Sequence, residues 1–176
     1  MPDNGSDRGP GRVSRERAAG LGHVAGQGAE DEPRTSERRS SEHERRQHRN
    51  LAERWFRRAW AGGDTSIAED VFAEHFVLNG TKVGPAGPRR SVAAVHRAFS
   101  DVGVALDLVL IDGPHVVTHY TTIARHTGTF HGVPASGRTI RASGIVIWEI
   151  ADGKVVRDWN TFDTAGLLAQ LTAGAE

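Results

Sequence analysis

The second half of the chain alternates between apolar and polar side chains over four long segments, and this pattern constrains the fold more than any other feature. Such alternation predicts β-strands with one buried face. The segments are approximately residues 105–111, 115–126, 139–150 and 154–160. Asp112-Gly113 and Asp152-Gly153 are hairpin signals, and a longer connection around Pro134 separates the middle two segments. Long strands that meet at a polar and aromatic tip are typical of the wall of a small pocket.

Composition limits the class of protein. The chain has 176 residues, 38% of them apolar, with 22 basic and 22 acidic side chains. This is enough for one globular domain, and the balanced charge gives no global attraction to nucleic acid. The lack of cysteine excludes disulfides, thiolate nucleophiles and cysteine-bound metals, and it suits a reducing cytoplasm. Since no apolar stretch is long enough to span a bilayer, we expect a cytoplasmic protein with neither a membrane nor a nucleic-acid partner.

Residues 1–40 are rich in Gly, Arg, Glu, Asp and Ser and carry few large apolar side chains. Such a segment cannot offset the entropy that ordering would cost, so we predict a disordered polar tail. Its arginines are interleaved with acidic residues, which favours a solvated tail over a nucleic-acid-binding arm. The globular domain is therefore expected over residues 41–176.

Helical spacing of apolar side chains begins after Ser41. The positions that share one helix face are Leu51, Trp55, Phe56, Ala59 and Trp60. Gly62-Gly63 is expected to end this first helix, and Asp64 to cap a short second one.

The remaining elements complete an α+β pattern. They are an extended segment over 75–79, a loop over 84–88, a third helix over 89–99 and a closing helix over 164–171 with Asp163 as its cap. Helices followed by an antiparallel meander predict one strongly curved antiparallel sheet wrapped around N-terminal helices. This arrangement forms a cone that encloses an apolar pocket.

Several stretches of the chain resemble the SnoaL-like polyketide cyclase family of the NTF2-like superfamily. They are residues 51–64, Gly84-Pro85, the run from His126 to Arg138, and residues 152–171. The resemblance implies an α+β cone, a buried apolar pocket and a homodimer formed through the outer sheet face. The best-known members close the last ring of aromatic polyketides by an intramolecular aldol step without metal or cofactor, so we expect a polyketide-like small-molecule substrate and no cofactor.

The resemblance also identifies a catalytic position that has changed. In the aldol cyclases the general base is an aspartate on the last strand, with a histidine two residues earlier, and Asn160 and Asp158 occupy these positions here. An amide cannot remove a proton, so the family mechanism does not transfer unchanged. Strand alternation puts Asp158 on the same face as Asn160 and Val156, and burial near Trp148 would raise its pKa. We therefore predict Asp158 as the acid/base and Asn160 as a hydrogen-bond donor. The structural alternative pairs Asp158 with an arginine of the sheet, namely Arg125, Arg141 or Arg157.

Other pocket residues follow from the same resemblance. A glutamine and a histidine on the preceding strand correspond to Gly144 and Val146, so this wall has lost its polar groups. Trp60 and Ser91 match pocket positions of the first and third helices, with core packing as the alternative for Trp60. Trp148 would add a flat apolar wall.

His126 shares a strand face with Tyr120, which we include in the substrate-binding set. His126 could donate to a substrate carbonyl, or it could order the following loop through a backbone hydrogen bond. The histidines of the chain show no metal-ligand spacing, so no metal site is expected.

These features leave three kinds of function open. The first is a cyclase or isomerase of polyketide-type secondary metabolism, such as antibiotic biosynthesis, which works either by acid/base assistance or by pre-organising the substrate for a cycloaddition-type closure. The second is a non-catalytic small-molecule-binding protein. The third is a hydrolase or dehydratase, although the sequence offers no polar cluster that would activate water. Ring-forming chemistry is the favoured interpretation.

Overall fold

The computed structural model describes residues 32–173, which form four α-helices and one six-stranded sheet. The helices are α1 (Glu32–Arg54), α2 (Ala68–Val71), α3 (Ala86–Ala98) and α4 (Thr164–Thr172). The strands are β1 (Phe72–Leu78), β2 (Thr81–Lys82), β3 (Phe99–Asp112), β4 (His115–His126), β5 (Thr139–Ala151) and β6 (Lys154–Phe162). A π-helical turn (Trp55–Ala61) continues α1, and a 3-10 turn (Thr65–Ile67) precedes α2.

The sheet has the order β2-β1-β6-β5-β4-β3. Strands β3 to β6 form an antiparallel meander, as the alternating segments and Asp-Gly turns predict. The α+β class and the curved sheet around the helices are confirmed. One pairing goes beyond the meander, because β1 lies parallel to β6, with Leu78 opposite Asp158. This pairing brings the loop after β1 next to the last strand.

The first helix begins at Glu32 rather than at Ser41, so the predicted start is wrong. Residues 35–47 of this helix are exposed and highly charged, and Arg and Glu have good helix propensity even without an apolar face. Residues 32–40 of the predicted tail lie in this helix, and the division of the chain into a tail and a domain at residue 40 stays a prediction. The other part of the tail, residues 1–31, lies outside the described residues, as do residues 174–176.

The π-helical turn contributes the aromatic face that the spacing of α1 predicts. Trp55, Phe56 and Ala59 are buried there, and the turn ends at Gly62, as expected. Such i→i+5 turns change the phase of the side chains and are frequent at functional sites. Here the change brings Trp60 toward β4, where its indole Nε1 donates to Thr122 Oγ1 at 3.1 Å.

Three other boundaries differ from the sequence prediction. Helix α3 begins at Ala86, inside the predicted loop, because prolines are compatible with a first helical turn. Strand β3 begins at Phe99 rather than at 105, directly after the helix. The extended segment predicted over 75–79 is the end of the longer strand β1.

A bulge in β6 changes which side chains face inward. Glu149 is opposite Arg157, but Ile150 is opposite Val155, so Val156 is an extra residue in the pairing. Val155 is buried and Val156 is only partly buried. The prediction that Val156 shares the inner face with Asp158 is therefore wrong at Val156, since strict alternation holds only up to the bulge.

Two apolar clusters fill the cone. The larger packs the aromatic rings of the π-helical turn and β1 against Trp148, and the smaller lies around Phe99 and Leu167. Asp163 caps α4 by accepting from Gly166 N at 2.8 Å, as predicted. No helix within residues 32–173 combines the length and the apolar character needed to cross a membrane.

Candidate functional site

The inner face of the sheet lines a cavity of about 360 Å³, which we call the main chamber. This volume is within the range of small-molecule pockets. A smaller space of about 50 Å³, the deep chamber, adjoins it. The two chambers share five lining residues, which are Trp60, Leu78, Ser91, Tyr120 and Asn160.

The main chamber is largely apolar. Its apolar side chains include Val95, Phe99, Ala124, Phe130, Ile140 and Leu167, which come from α3, β3, β4, the loop after β4, β5 and α4. Asn79, Ser91 and His131 also line this chamber and are exposed, so the loop after β1, α3 and the loop after β4 lie where the chamber approaches the surface. An apolar ligand body fits such a surface.

Asp158 is the buried carboxylate of the deep chamber. Its side chain is 6% exposed, and burial raises its pKa from the ordinary value to about 7. The indole N–H of Trp148 and the side chain of Asn160 lie close enough to oppose this rise, but they do not cancel it. The carboxyl group therefore changes charge near neutral pH, where a general base or acid is most useful.

The carboxyl group has unused hydrogen-bonding capacity. Within residues 32–173, Asp158 Oδ1 has no hydrogen-bond partner, and the same holds for Trp148 Nε1. The arginine pairing considered as the structural alternative is not formed with Arg157, whose Nη1 lies 3.1 Å from Glu149 Oε2 on the outer face. Asp158 thus lines the deep chamber as a buried acid whose Oδ1 makes no hydrogen bond among residues 32–173, although the Trp148 indole N–H and the Asn160 side chain lie near its carboxyl group.

Tyr120 and Gly144 form one structural unit. A Cβ atom placed on Gly144 would lie 2.6 Å from both Cζ and the hydroxyl oxygen of Tyr120, so the tyrosine ring fills the space over the glycine. Gly144 therefore leaves room for Tyr120 and lines neither the main nor the deep chamber, and its contact with substrate stays a prediction. Burial, assisted by the charge of Asp158, raises the pKa of Tyr120, so its hydroxyl remains protonated and able to donate.

Asn160 lines both chambers. It follows Asp158 by two residues in β6 and lies on the same strand face, as predicted. Its backbone is held by Asn79, which the sequence analysis missed. Asn79 Nδ2 donates to Asn160 O at 3.0 Å, and Asn160 N donates to Asn79 Oδ1 at 2.8 Å. The available signal was the Asn79-Gly80 dipeptide, a tight-turn motif that ends β1.

His126 packs beside the main chamber rather than lining it. Its ring centroid is 5.2 Å from that of Phe99, and its Nδ1 accepts from the backbone N–H of Ser136 at 3.1 Å. The backbone N–H of Gly137 also donates to His126 O at 2.9 Å. His126 thus orders the loop after β4, which is the structural alternative, and it lines neither chamber; its catalytic role stays a prediction.

The remaining predicted residues lie at the chambers. Trp60 and Ser91 line both, whereas Val146 and Trp148 line the deep chamber. The Trp148 ring stacks on Phe56 with centroids 6.1 Å apart. Phe130 and His131, both in the loop after β4, line the main chamber and were not predicted. Both residues lie in the run from His126 to Arg138 that the sequence analysis singles out. The direction in which their side chains point depends on the conformation of the loop, which the sequence pattern does not give.

The described part of the chain offers no cluster of side chains that could form a metal site. Among these residues, no group of three or more His, Asp or Glu side chains could hold a metal ion.

A curved α+β cone with an apolar chamber and one buried carboxylate defines a small-molecule pocket protein of the NTF2-like class. The model of the SnoaL-like polyketide cyclase family matches residues 50–171. The chain therefore belongs to the SnoaL-like polyketide cyclase family.

Solved structures agree with this fold. TsrD from Streptomyces laurentii has a TM-score of 0.68 at 27% identity, covering 73% of this chain and 97% of TsrD. A candidate SnoaL-like polyketide cyclase from Jannaschia sp. CCS1 has a TM-score of 0.64 at 20% identity, covering 72% and 92%. IdmH from Streptomyces antibioticus, a candidate polyketide cyclase, has a TM-score of 0.63 at 21% identity, covering 70% and 97%. No curated protein matches the chain in sequence.

Proposed function

We propose that this protein is a cofactor-independent cyclase, or a closely related isomerase, that closes a ring in a polyketide-type intermediate of cytoplasmic secondary metabolism, such as antibiotic biosynthesis. The observation that carries the proposal is the Asp158 carboxyl group, which is buried in the deep chamber beside the larger apolar one, has an Oδ1 without a hydrogen-bond partner among the described residues, and has a pKa of about 7. A base of this strength next to an apolar substrate suits abstraction of a proton from carbon. Family membership supports the same reaction class.

In the proposed reaction, the Asp158 carboxylate removes a proton from a carbon flanked by carbonyl groups. The C–H electron pair delocalises onto a carbonyl oxygen, and the resulting enolate carbon attacks a second carbonyl carbon of the same chain. The new C–C bond closes the ring, the electron pair of the second C=O bond becomes an alkoxide, and this alkoxide takes the proton back from Asp158. Substrate and product are isomers, so the step consumes no oxidant, reductant or second substrate.

Two neighbours of Asp158 support the charge changes of this step. Tyr120 is protonated and lines both chambers, and Asn160 lies one step along β6, so either side chain can donate to the developing oxyanion. The main chamber contributes by holding the flexible substrate in a folded, reactive shape. In this proposal Asp158 transfers the proton while the apolar wall of the main chamber keeps the substrate in its reactive conformation.

The outer sheet face supports a homodimer as part of the proposal. Ile145, Ile147 and Trp159 are 41%, 37% and 42% exposed, and Ile147 is opposite Trp159 across β5 and β6. An apolar patch of neighbouring side chains on one sheet face favours contact with a second copy of the same surface. The chamber lies on the other face and remains open in such a dimer.

The test is gene deletion in the producing organism, followed by comparison of metabolites by liquid chromatography and mass spectrometry. The deletion strain receives the native gene, Asp158→Asn, or the matched control Asp152→Asn, which alters an exposed turn carboxylate. We expect accumulation of an isomer that lacks one ring, removed by the native and control genes but not by Asp158→Asn. If all three genes remove the isomer, the protein works by pre-organising its substrate and not by acid/base catalysis. An unchanged metabolite profile in the deletion strain would favour a non-catalytic binding protein.

A further inference from the structure

The deep chamber is lined by Trp148 and Asp158, whose side chains each carry a polar atom without a well-formed hydrogen bond. Trp148 and Asp158 are 1% and 6% exposed, and they are directly opposite each other across β5 and β6. In the described part of the chain, neither the Trp148 Nε1 donor nor the Asp158 Oδ1 acceptor makes a hydrogen bond. The indole N–H lies close enough to the carboxyl group to lower its pKa, but the two groups do not form a hydrogen bond of normal geometry. Buried polar groups are nearly always paired, so a donor and an acceptor left without such bonds indicate that a ligand group completes them.

The chemistry of the pair selects one kind of ligand group. A hydroxyl oxygen accepts from an N–H donor while its own proton is donated to a carboxylate, so it satisfies both atoms at once. A ketone or ether oxygen accepts only and leaves Asp158 unpaired. A carboxylate would be repelled by Asp158. The pair therefore favours an alcohol, phenol or enol.

We propose that the deep chamber is a subsite for a hydroxyl group carried by an apolar ligand, with Trp148 donating to the hydroxyl oxygen and the hydroxyl donating to Asp158 Oδ1, so that Oδ2 is left for the proton transfer of the proposed reaction. This inference rests on the proposed function and deepens it, because it states which end of the substrate enters first. The ligand body then lies in the main chamber, which shares Tyr120 and Asn160 with the deep one.

The volumes support this orientation. About 50 Å³ of space in the deep chamber, which Phe56 and Phe72 help to line, accommodates a small polar group, whereas about 360 Å³ remains for the body. A water molecule presents the same hydroxyl chemistry and is the second source of a partner for these atoms. A test must therefore separate a ligand hydroxyl from a resident water.

Calorimetry with the full chain at pH 8 makes this separation with three probes of similar shape. 2-Naphthol donates and accepts, 2-methoxynaphthalene only accepts, and naphthalene does neither. We expect 2-naphthol to bind about tenfold more tightly than 2-methoxynaphthalene, which corresponds to about 1.4 kcal/mol. We expect Trp148→Phe to weaken 2-naphthol five- to tenfold while naphthalene changes less than twofold. The matched control Trp159→Phe, on the outer face, leaves all three affinities unchanged.

Asp158→Asn provides a second variant if Trp148→Phe fails to fold, and we expect it to reduce the preference for 2-naphthol to less than threefold. Equal binding of 2-naphthol and 2-methoxynaphthalene to the native protein would overturn the proposal in favour of a resident water. An equal loss for all three probes in Trp148→Phe would also overturn it, as would no binding of 2-naphthol at millimolar concentration. If 2-naphthol binds selectively but the deletion strain shows an unchanged metabolite profile, the hydroxyl subsite is supported and the proposed cyclase function is rejected.

Discussion

The side-chain amide of Asn79 pairs with the backbone of Asn160 as a strand residue would. Its Nδ2 and Oδ1 atoms form hydrogen bonds of 3.0 and 2.8 Å with Asn160 O and N. The backbone N–H of Asn79 also donates to Asp158 O at 2.9 Å. The parallel pairing of β1 and β6 ends at Leu78 and Asp158, so Asn79 extends it by one step from a turn with φ +45°. The stretch of β6 that carries Asp158 and Asn160 is thereby fixed at both residues.

Removal of the Asn79 side chain should loosen this stretch. Asn79→Gly keeps the left-handed turn accessible and loses two hydrogen bonds, so we expect it to reduce the free energy of unfolding by about 1–2 kcal/mol in urea titrations. Asn79→Ala should lose about 1 kcal/mol more, because a Cβ atom disfavours positive φ when no side-chain amide compensates. A glycine variant as stable as the native protein would show that these bonds contribute nothing.

The raised pKa of Asp158 predicts a pH-dependent stability. The unfolded carboxyl group ionises near pH 3.8, whereas the folded one retains its proton up to about pH 7. The folded state therefore binds more protons between these values, and the free energy of unfolding falls as the pH rises through this window. Since one pKa unit corresponds to about 1.4 kcal/mol, ionised Asp158 costs the folded protein on the order of 4 kcal/mol above pH 7.

Asp158→Asn should remove this dependence. We expect the variant to match the native protein at pH 4 and to unfold at a higher temperature at pH 8, as measured by differential scanning calorimetry. The control Asp152→Asn changes an exposed carboxylate in a turn and should keep the native pH profile. Parallel profiles for the native protein and Asp158→Asn would contradict a carboxyl group with a raised pKa.

The contact between Gly144 and Tyr120 predicts a coupled pair. In Gly144→Ala the new methyl group lies within 2.6 Å of the Tyr120 ring, and we expect the forced shift of this buried ring to cost about 1–3 kcal/mol of unfolding free energy. In a Tyr120→Ala background the same change should cost little. A double-mutant cycle from chemical denaturation measures the difference, and additive effects would argue against this contact.

The contact of His126 with Ser136 predicts a local effect on the loop after β4. His126→Phe keeps an aromatic ring beside Phe99 and removes the Nδ1 acceptor of the Ser136 N–H, so hydrogen exchange of that amide should accelerate at least tenfold. Ser136→Ala retains the backbone bond and should have a smaller effect. We expect His126→Phe to bind 2-naphthol with unchanged affinity. A loss of affinity in this variant would show that His126 takes part in ligand binding.

The apolar outer face predicts the oligomeric state. We expect sedimentation of the native protein as a dimer and a shift to monomer in Ile147→Glu, because a buried unpaired charge at the centre of the patch would weaken the contact. Gln47→Glu adds the same charge to an exposed position of α1 and should leave the dimer intact. A native protein that sediments as a monomer at micromolar concentration would reject the dimer.

Much of the fold follows from local patterns. The Asp-Gly turns and the two-residue alternation predict β4, β5 and their antiparallel order, and Gly62 ends the first helical segment as expected. The bulge at Val156 was not predictable, since its sequence continues the strand pattern without a glycine or proline. The early start of α1 was not predicted, because its first turns consist of charged residues that form a helix by propensity and show no periodic apolar side chains.

The sequence by itself determined the α+β class, the family resemblance and the placement of Asp158 and Asn160 on one face of β6, because these depend on residue type and on spacing along one strand. Only the tertiary structure decided that Asp158 is unpaired, that Tyr120 covers Gly144, that Asn79 holds β6 and that His126 lies outside the chamber. Each of these depends on how side chains from strands or loops distant in sequence meet within a few ångströms. Such distances are set by sheet curvature, the bulge and loop packing, which no local pattern encodes.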